Sequence, residues 1–129
     1  MTDRFDYLEI IPTDFSNALA FYRDVLGWQV LSDVIADVIT VGSGRQVLLS
    51  GGSIRIMLRA IETANRLAPL CSGLTLHLDI HDARKRFADI PPGAHIVKPP
   101  SLNEFGELHF VLRDPDGSII VFNELRQRS

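Results

Sequence analysis

The sequence predicts an α+β fold made of two tandem βαβββ modules. Three spacings carry that expectation. Asp14 and Asp82 are 68 residues apart, Gly27 and Gly93 are 66 apart, and Gly52 and Gly117 are 65 apart. Each pair stands at the same step of its half: the cap before a helix, the stop after it, and the turn before the last strand. A half of about 60 residues leaves one side of its sheet to bury, so the two halves are expected to share a core or a cleft. The predicted organisation is a single domain over residues 1–129, with a first module at 5–59, a linker at 60–73 and a second module at 74–125.

The elements follow in order. Residues 5–11 read as a strand, and Asp14 is placed to cap the helix after it. Phe15, Leu19, Tyr22 and Leu26 recur at helical spacing, and Gly27 stops the helix. Residues 34–41 are rich in β-branched side chains, Gly42, Ser43 and Gly44 interrupt them, and 46–49 resumes as a strand. Gly51 and Gly52 make a tight turn into a strand at 53–58. In the second half, 74–80 is a strand and Asp82 caps a short helix carrying Ala83, Phe87 and Ile90, which Pro91, Pro92 and Gly93 end. A short strand at 94–97, a loop at 98–105 broken by Pro99 and Pro100, and strands at 106–112 and 118–125 complete the repeat.

Composition narrows the function classes. The chain has 129 residues, 46% of them apolar and 22% charged, which suits a globular fold rather than a disordered one. A formal net charge of −3 argues against nucleic acid and anionic membrane surfaces as partners. No apolar run of about 18 residues is present to span a membrane, and the opening MTDRFDYLEI has no signal-peptide pattern. Cys71 is the single cysteine, so no internal disulfide can form, and a reducing, cytoplasmic setting is expected. Neither a phosphate-binding loop nor a nucleophile elbow occurs, and GSGR at 42–45 is too short for a dinucleotide site.

The motifs FYRDVLG (21–27) and DPDG (114–117), set in this repeat, resemble the vicinal oxygen chelate superfamily of glyoxalase, bleomycin-resistance and extradiol-dioxygenase proteins. EIIPTDFSNALAFYRDVLGW (9–28) looks like the start of a first module, and GAHIVKPP (93–100) with GELHFVLRDPDGSIIVF (106–122) looks like the end of a second. The resemblance implies paired modules, each with a curved mixed sheet around a cleft and a helix on the outer face. It also implies a likeness to homodimeric proteins.

In metal-dependent relatives, the resemblance places one ligand on each first strand and another four residues after each turn glycine. Those places hold Tyr7, Thr75, Ile56 and Val121 here. Metal ions need several lone-pair donors converging on one point, and two of these side chains offer none. Glu9 and His77 occupy matching positions two residues further on, but two donors make no recognised metal constellation. No metal and no cofactor are therefore expected.

Strand parity then lines the cleft. Tyr7, Glu9 and Ile11 share one face, as do Ile54, Ile56 and Leu58 on another strand. Thr75, His77 and Asp79 from the second module join Ile119, Val121 and Asn123 from its last strand. The expected ligand-binding set is Tyr7, Glu9, Ile56, Leu58, Thr75, His77, Asp79, Val121 and Asn123, with Leu102 and Phe105 as a lid or rim. Ile56 and Val121 are equally at home as core. Arg55 and Arg59 fall on the helix-facing side, an awkward place for arginine, and the direction of His109 is left open. Asp114, Asp116 and Gly117 are turn formers rather than catalysts.

An apolar recess with a few polar handles is the usual make-up of a small-molecule pocket. The reading is a metal-independent protein that binds a small organic ligand, with resistance-like sequestration as its role and Glu9 and Asp79 favouring a cation. Two other classes stay open. One is a lyase, isomerase or dioxygenase-like enzyme using Glu9 and His77 as an acid–base pair. The other is a structural homodimer without a ligand.

Overall fold

The structure is a computed structural model, and it describes residues 3–38, 42–60 and 74–124. The predicted linker and Cys71 lie outside the described residues, save for Ala60. The chain divides into two compact units, 1–71 and 72–129.

The first unit runs β1 (Leu8–Ile10), α1 (Phe15–Ala20), a π-helical segment (Phe21–Val25), β2 (Gln29–Val38), β3 (Gly42–Ser50) and β4 (Arg55–Arg59). The second runs β5 (Thr75–Ile80), α2 (Ala83–Ala88), β6 (His95–Leu102), β7 (Leu108–Arg113) and β8 (Ile119–Glu124). Each unit holds one four-stranded mixed sheet, ordered β1-β4-β3-β2 and β5-β8-β7-β6. In both, the first strand lies parallel to the fourth and the remaining pairs are antiparallel. The α+β repeat is thus present down to strand order.

Its local chemistry repeats too. Asp14 and Asp82 are both extended N-caps, and their carboxylates accept from the backbone N–H of Asn17 and Lys85 at 3.0 and 3.1 Å. Such a cap satisfies one of the orphan donors at a helix start and contributes about 1 kcal/mol. The turn glycines Gly52 and Gly117 have φ of +98° and +90°, which a side chain would strain.

Two strands are longer than the sequence suggests. The Gly42–Gly44 stretch continues β3 instead of interrupting it, and a Cβ on Gly44 would stand 2.0 Å from the Ala60 carbonyl oxygen. Glycine there permits the close approach of chain that lets the Ala60 N–H bond to the Arg45 carbonyl. β6 runs through Pro99 and Pro100, and the register to β7 skips between Lys98 and Ser101. Proline offers no N–H to a ladder and is tolerated because β6 is an edge strand.

One face of each sheet is buried under its helix. In the first unit that face carries Val47, Leu49, Ile56 and Leu58, all fully buried, with Ile10 beside them. Arg45, on the same face, stacks over the Phe15 ring of α1. In the second unit the buried face carries Phe110, Leu112, Ile120 and Phe122. Phe110 stacks on Phe122 at 4.4 Å, and Phe87 of α2 meets Phe110 edge-on at 5.2 Å. Aromatic pairs of this kind add about 0.5–1.5 kcal/mol beyond the area they bury.

Candidate functional site

The second sheet's open face carries the residues left over by that alternation. Register sets them in two rows. His77 lies beside Val121, which faces Val111. Asp79 lies beside Asn123, which faces His109, and His109 faces Ser101. A hydrocarbon strip therefore runs next to a polar one. The turn after β6 stands beside them, and together they form an open pocket of about 430 Å³. His77, Asp79, Asn103, Glu104, Phe105, Glu107, His109, Val111, Val121 and Asn123 line it.

The hydrogen bonds decide what each polar group presents. His109 is only 9% exposed, and its Nδ1 lies 2.8 Å from the Ser101 carbonyl oxygen. A carbonyl can only accept, so Nδ1 carries the proton and Nε2 keeps its lone pair in the neutral ring. The Asn123 amide nitrogen sits 3.5 Å from His77 Nδ1, a contact longer than a normal hydrogen bond that brings the two polar groups side by side. Asn103 Oδ1 accepts from the N–H groups of both Phe105 and Glu107 at 2.9 Å, and its own N–H donates to the Glu107 carbonyl at 2.8 Å. That residue ties the rim turn to the start of β7.

Of the expected set, His77, Asp79, Val121, Asn123 and Phe105 line this pocket. Thr75 is exposed on the same face but outside the lining, whereas Leu102, exposed at the end of β6 and also outside the lining, pairs with Leu108 one step from the open-face pair Ser101 and His109. Asn103, Glu104, Glu107 and Val111 line the pocket outside the expected set, and His109, whose direction the sequence leaves open, lines it too. Strand alternation from Val121 and Asn123 identifies Val111 and His109 once the register of the two strands is known. The turn residues carry no such periodic signal.

The first unit requires a correction. Ile56 and Leu58 do not share a face with Glu9. Ile56 pairs with Leu8 and Leu58 with Ile10, so both lie in the core beneath α1, while Glu9 pairs with Met57 on the other face. Ile54 leads into the same strand with Ile56. Arg55 and Arg59, expected on the helix side, lie with Glu9 instead. Arg59 forms an ion pair with the Glu9 carboxylate, and Arg55 bonds to the side chain of Asp6, with its Nε 3.1 Å from the Asp6 backbone oxygen. Tyr7 stands just before β1 and is 40% exposed.

The cause is one residue in a turn. The Gly51 N–H bonds to the Ile54 carbonyl, enclosing Gly52 and Ser53, whereas the Asp114 N–H bonds to the Ser118 carbonyl, enclosing Pro115, Asp116 and Gly117. The glycine is first in one loop and last in the other. Counting four residues onward therefore lands on opposite faces, because strand side chains alternate with period two. Met57, not Ile56, is the counterpart of Val121.

Those counterparts are a thioether and a hydrocarbon. Among the described residues, no three His, Cys, Asp or Glu side chains stand together so as to hold an ion. Glu9 is already engaged by Arg59. The described residues at these positions do not supply the donor set that hard or borderline cations require.

The chain belongs to the glyoxalase/bleomycin resistance protein/dioxygenase superfamily, whose family model matches residues 4–122. No curated protein matched the sequence. Among solved structures, it is similar to TnmS3, an antibiotic binding protein from Streptomyces sp. CB03234, at 20% identity and a TM-score of 0.71, over 97% of this chain and 98% of that one. It is also similar to TioX from Micromonospora sp. ML1, at 21% identity and a TM-score of 0.67, covering 93% and 98% of the two chains. A superfamily member from Sphaerobacter thermophilus matches at 21% identity and a TM-score of 0.67, covering 94% and 98%. These likenesses show the fold.

Proposed function

We propose that this chain binds a small organic molecule on the open face of its second sheet, without a metal, and sequesters it rather than transforming it. The observation that carries this reading is the pocket of about 430 Å³, which sets Val111 and Val121 beside His77, His109 and Asn123. Pockets of roughly 300–1,000 Å³ with an apolar floor and a few oriented polar groups are the usual form of a small-molecule site. The similarity to a protein described as antibiotic binding supports the same reading. An acid–base pair of Glu9 and His77 has less to draw on, because Arg59 takes the Glu9 carboxylate. A homodimeric, cytoplasmic protein is part of the same proposal.

Scanning calorimetry against a panel of small organic compounds tests it. A true ligand raises the melting temperature with its concentration, and equally in the presence of a chelator. Val111→Trp, which fills the pocket from the open face, abolishes the shift while leaving the ligand-free melting temperature near that of the parent. Stabilisation that depends on added metal, or that survives Val111→Trp, would sink the reading.

A further inference from the structure

We infer that the ligand is an organic cation, a protonated amine joined to a flat apolar body, and that the turn between β6 and β7 selects it. This rests on the pocket being the ligand site. Asp79, Glu104 and Glu107 line the pocket, and no lysine or arginine is among its described lining residues. The cation preference expected of Glu9 does not arise there, since an arginine already neutralises that carboxylate.

A second observation stands apart from the carboxylates. His109 is 9% exposed and lines the pocket, and its only hydrogen bond among the described residues uses Nδ1. Nε2 is left as a fixed lone pair with no protein donor. An acceptor lining the pocket without a protein partner can take a hydrogen bond from the ligand, and an ammonium N–H supplies one. Phe105 is 65% exposed at the rim, where its ring face can cover a cationic aromatic body. Asn103, through its bonds to the Phe105 and Glu107 backbone, is the positioning residue that presents the ring and the carboxylate together.

Three compounds sharing one ring system test the class: 9-(aminomethyl)acridine as the protonated amine, 9-methylacridine as the neutral form and acridine-9-carboxylate as the anion. Binding is read by titration calorimetry at pH 7.5, at low and high salt. The cation is expected to bind about tenfold more tightly than the neutral ring, since hydrogen bonds to charged groups are the stronger ones. High salt narrows that gap by screening. Glu104→Gln with Glu107→Gln removes most of the gap between cation and neutral ring, while the charge-matched control Asp24→Asn with Asp33→Asn, remote from the pocket lining, keeps it. Asn103→Ala weakens the cation and flattens its salt dependence, which a simple loss of stability does not do. Equal binding of cation and neutral ring, or preference for the anion, overturns the ligand class and leaves the pocket reading standing. Failure of all three to bind, or binding that survives Val111→Trp, overturns both.

Discussion

Replacing Asp114 with alanine removes the acceptor that ties the turn between β7 and β8. Its Oδ1 accepts from the backbone N–H of Ser118 at 2.8 Å and of Asp116 at 3.0 Å. Ser118 is 1% exposed and Asp114 is 5% exposed. The Ser118 N–H therefore loses this acceptor where water does not reach, at a cost of about 1–3 kcal/mol. The Asp116 N–H belongs to a half-buried residue, and water replaces much of its bond, so about 0.5–1.5 kcal/mol is lost there. Together Asp114→Ala should cost about 1.5–4.5 kcal/mol, a large share of the roughly 5–15 kcal/mol a domain has. Urea unfolding followed by circular dichroism measures this as a lower midpoint at unchanged slope. Asp114→Asn keeps the oxygen and should recover most of the loss. The turn also holds Val111 against Val121 and His109 against Asn123, so ligand affinity should fall with stability. An Asp114→Ala protein within about 0.5 kcal/mol of the parent, the range of an ordinary surface change, would refute this account of the turn.

Three further outcomes are expected. Gly51→Ala puts a Cβ 2.5 Å from the Trp28 ring, which is buried, so the midpoint should drop by about 1–3 kcal/mol with a shift in tryptophan emission; an unchanged emission maximum would contradict the close packing. Phe110→Ala empties the space between Phe87 and Phe122 and should cost about 3–5 kcal/mol in the same unfolding assay, whereas a loss under about 1 kcal/mol would mean the stack is not the second unit's core. Hydrogen bonds from Arg45, at 2.9 and 2.6 Å, hold the Asp33 carboxyl below the usual aspartate range, outweighing an opposing desolvation, with the Arg45 charge adding in the same direction as the bonds. A lowered folded-state value means this contribution is present above the ordinary aspartate range and is lost as pH falls through the lowered value. Asp33→Asn should therefore flatten the acid side of a melting-temperature profile, and an acid slope identical to the parent's would argue against the pair.

Much of the fold was legible because it rests on local chemistry. Asp14 and Asp82 had to be caps, since an aspartate before a helical apolar pattern has that one economical use, and both are. Gly52 and Gly117 marked turns because few residues tolerate their backbone angles. In the second sheet the same reasoning reached the pocket: alternation placed His77, Asp79, Val121 and Asn123 together, and all four line it. In the first sheet it failed at Ile56, Leu58, Arg55 and Arg59. Two glycines that look equivalent in the chain sit at opposite ends of loops of different length, and nothing in GGSI or DPDG counts the residues between the paired strands.

What the chain determined alone was therefore the repeat, its caps and turns, and the alternation within each strand, all set by contacts within a few residues. Tertiary structure decided which alternating set meets the helix. It also engaged Glu9 with Arg59 and brought Asn103 and His109 to the rim and floor of one pocket. Strand pairing joins residues far apart in sequence, and a shift of one position in that pairing moves every side chain of a strand to the other face.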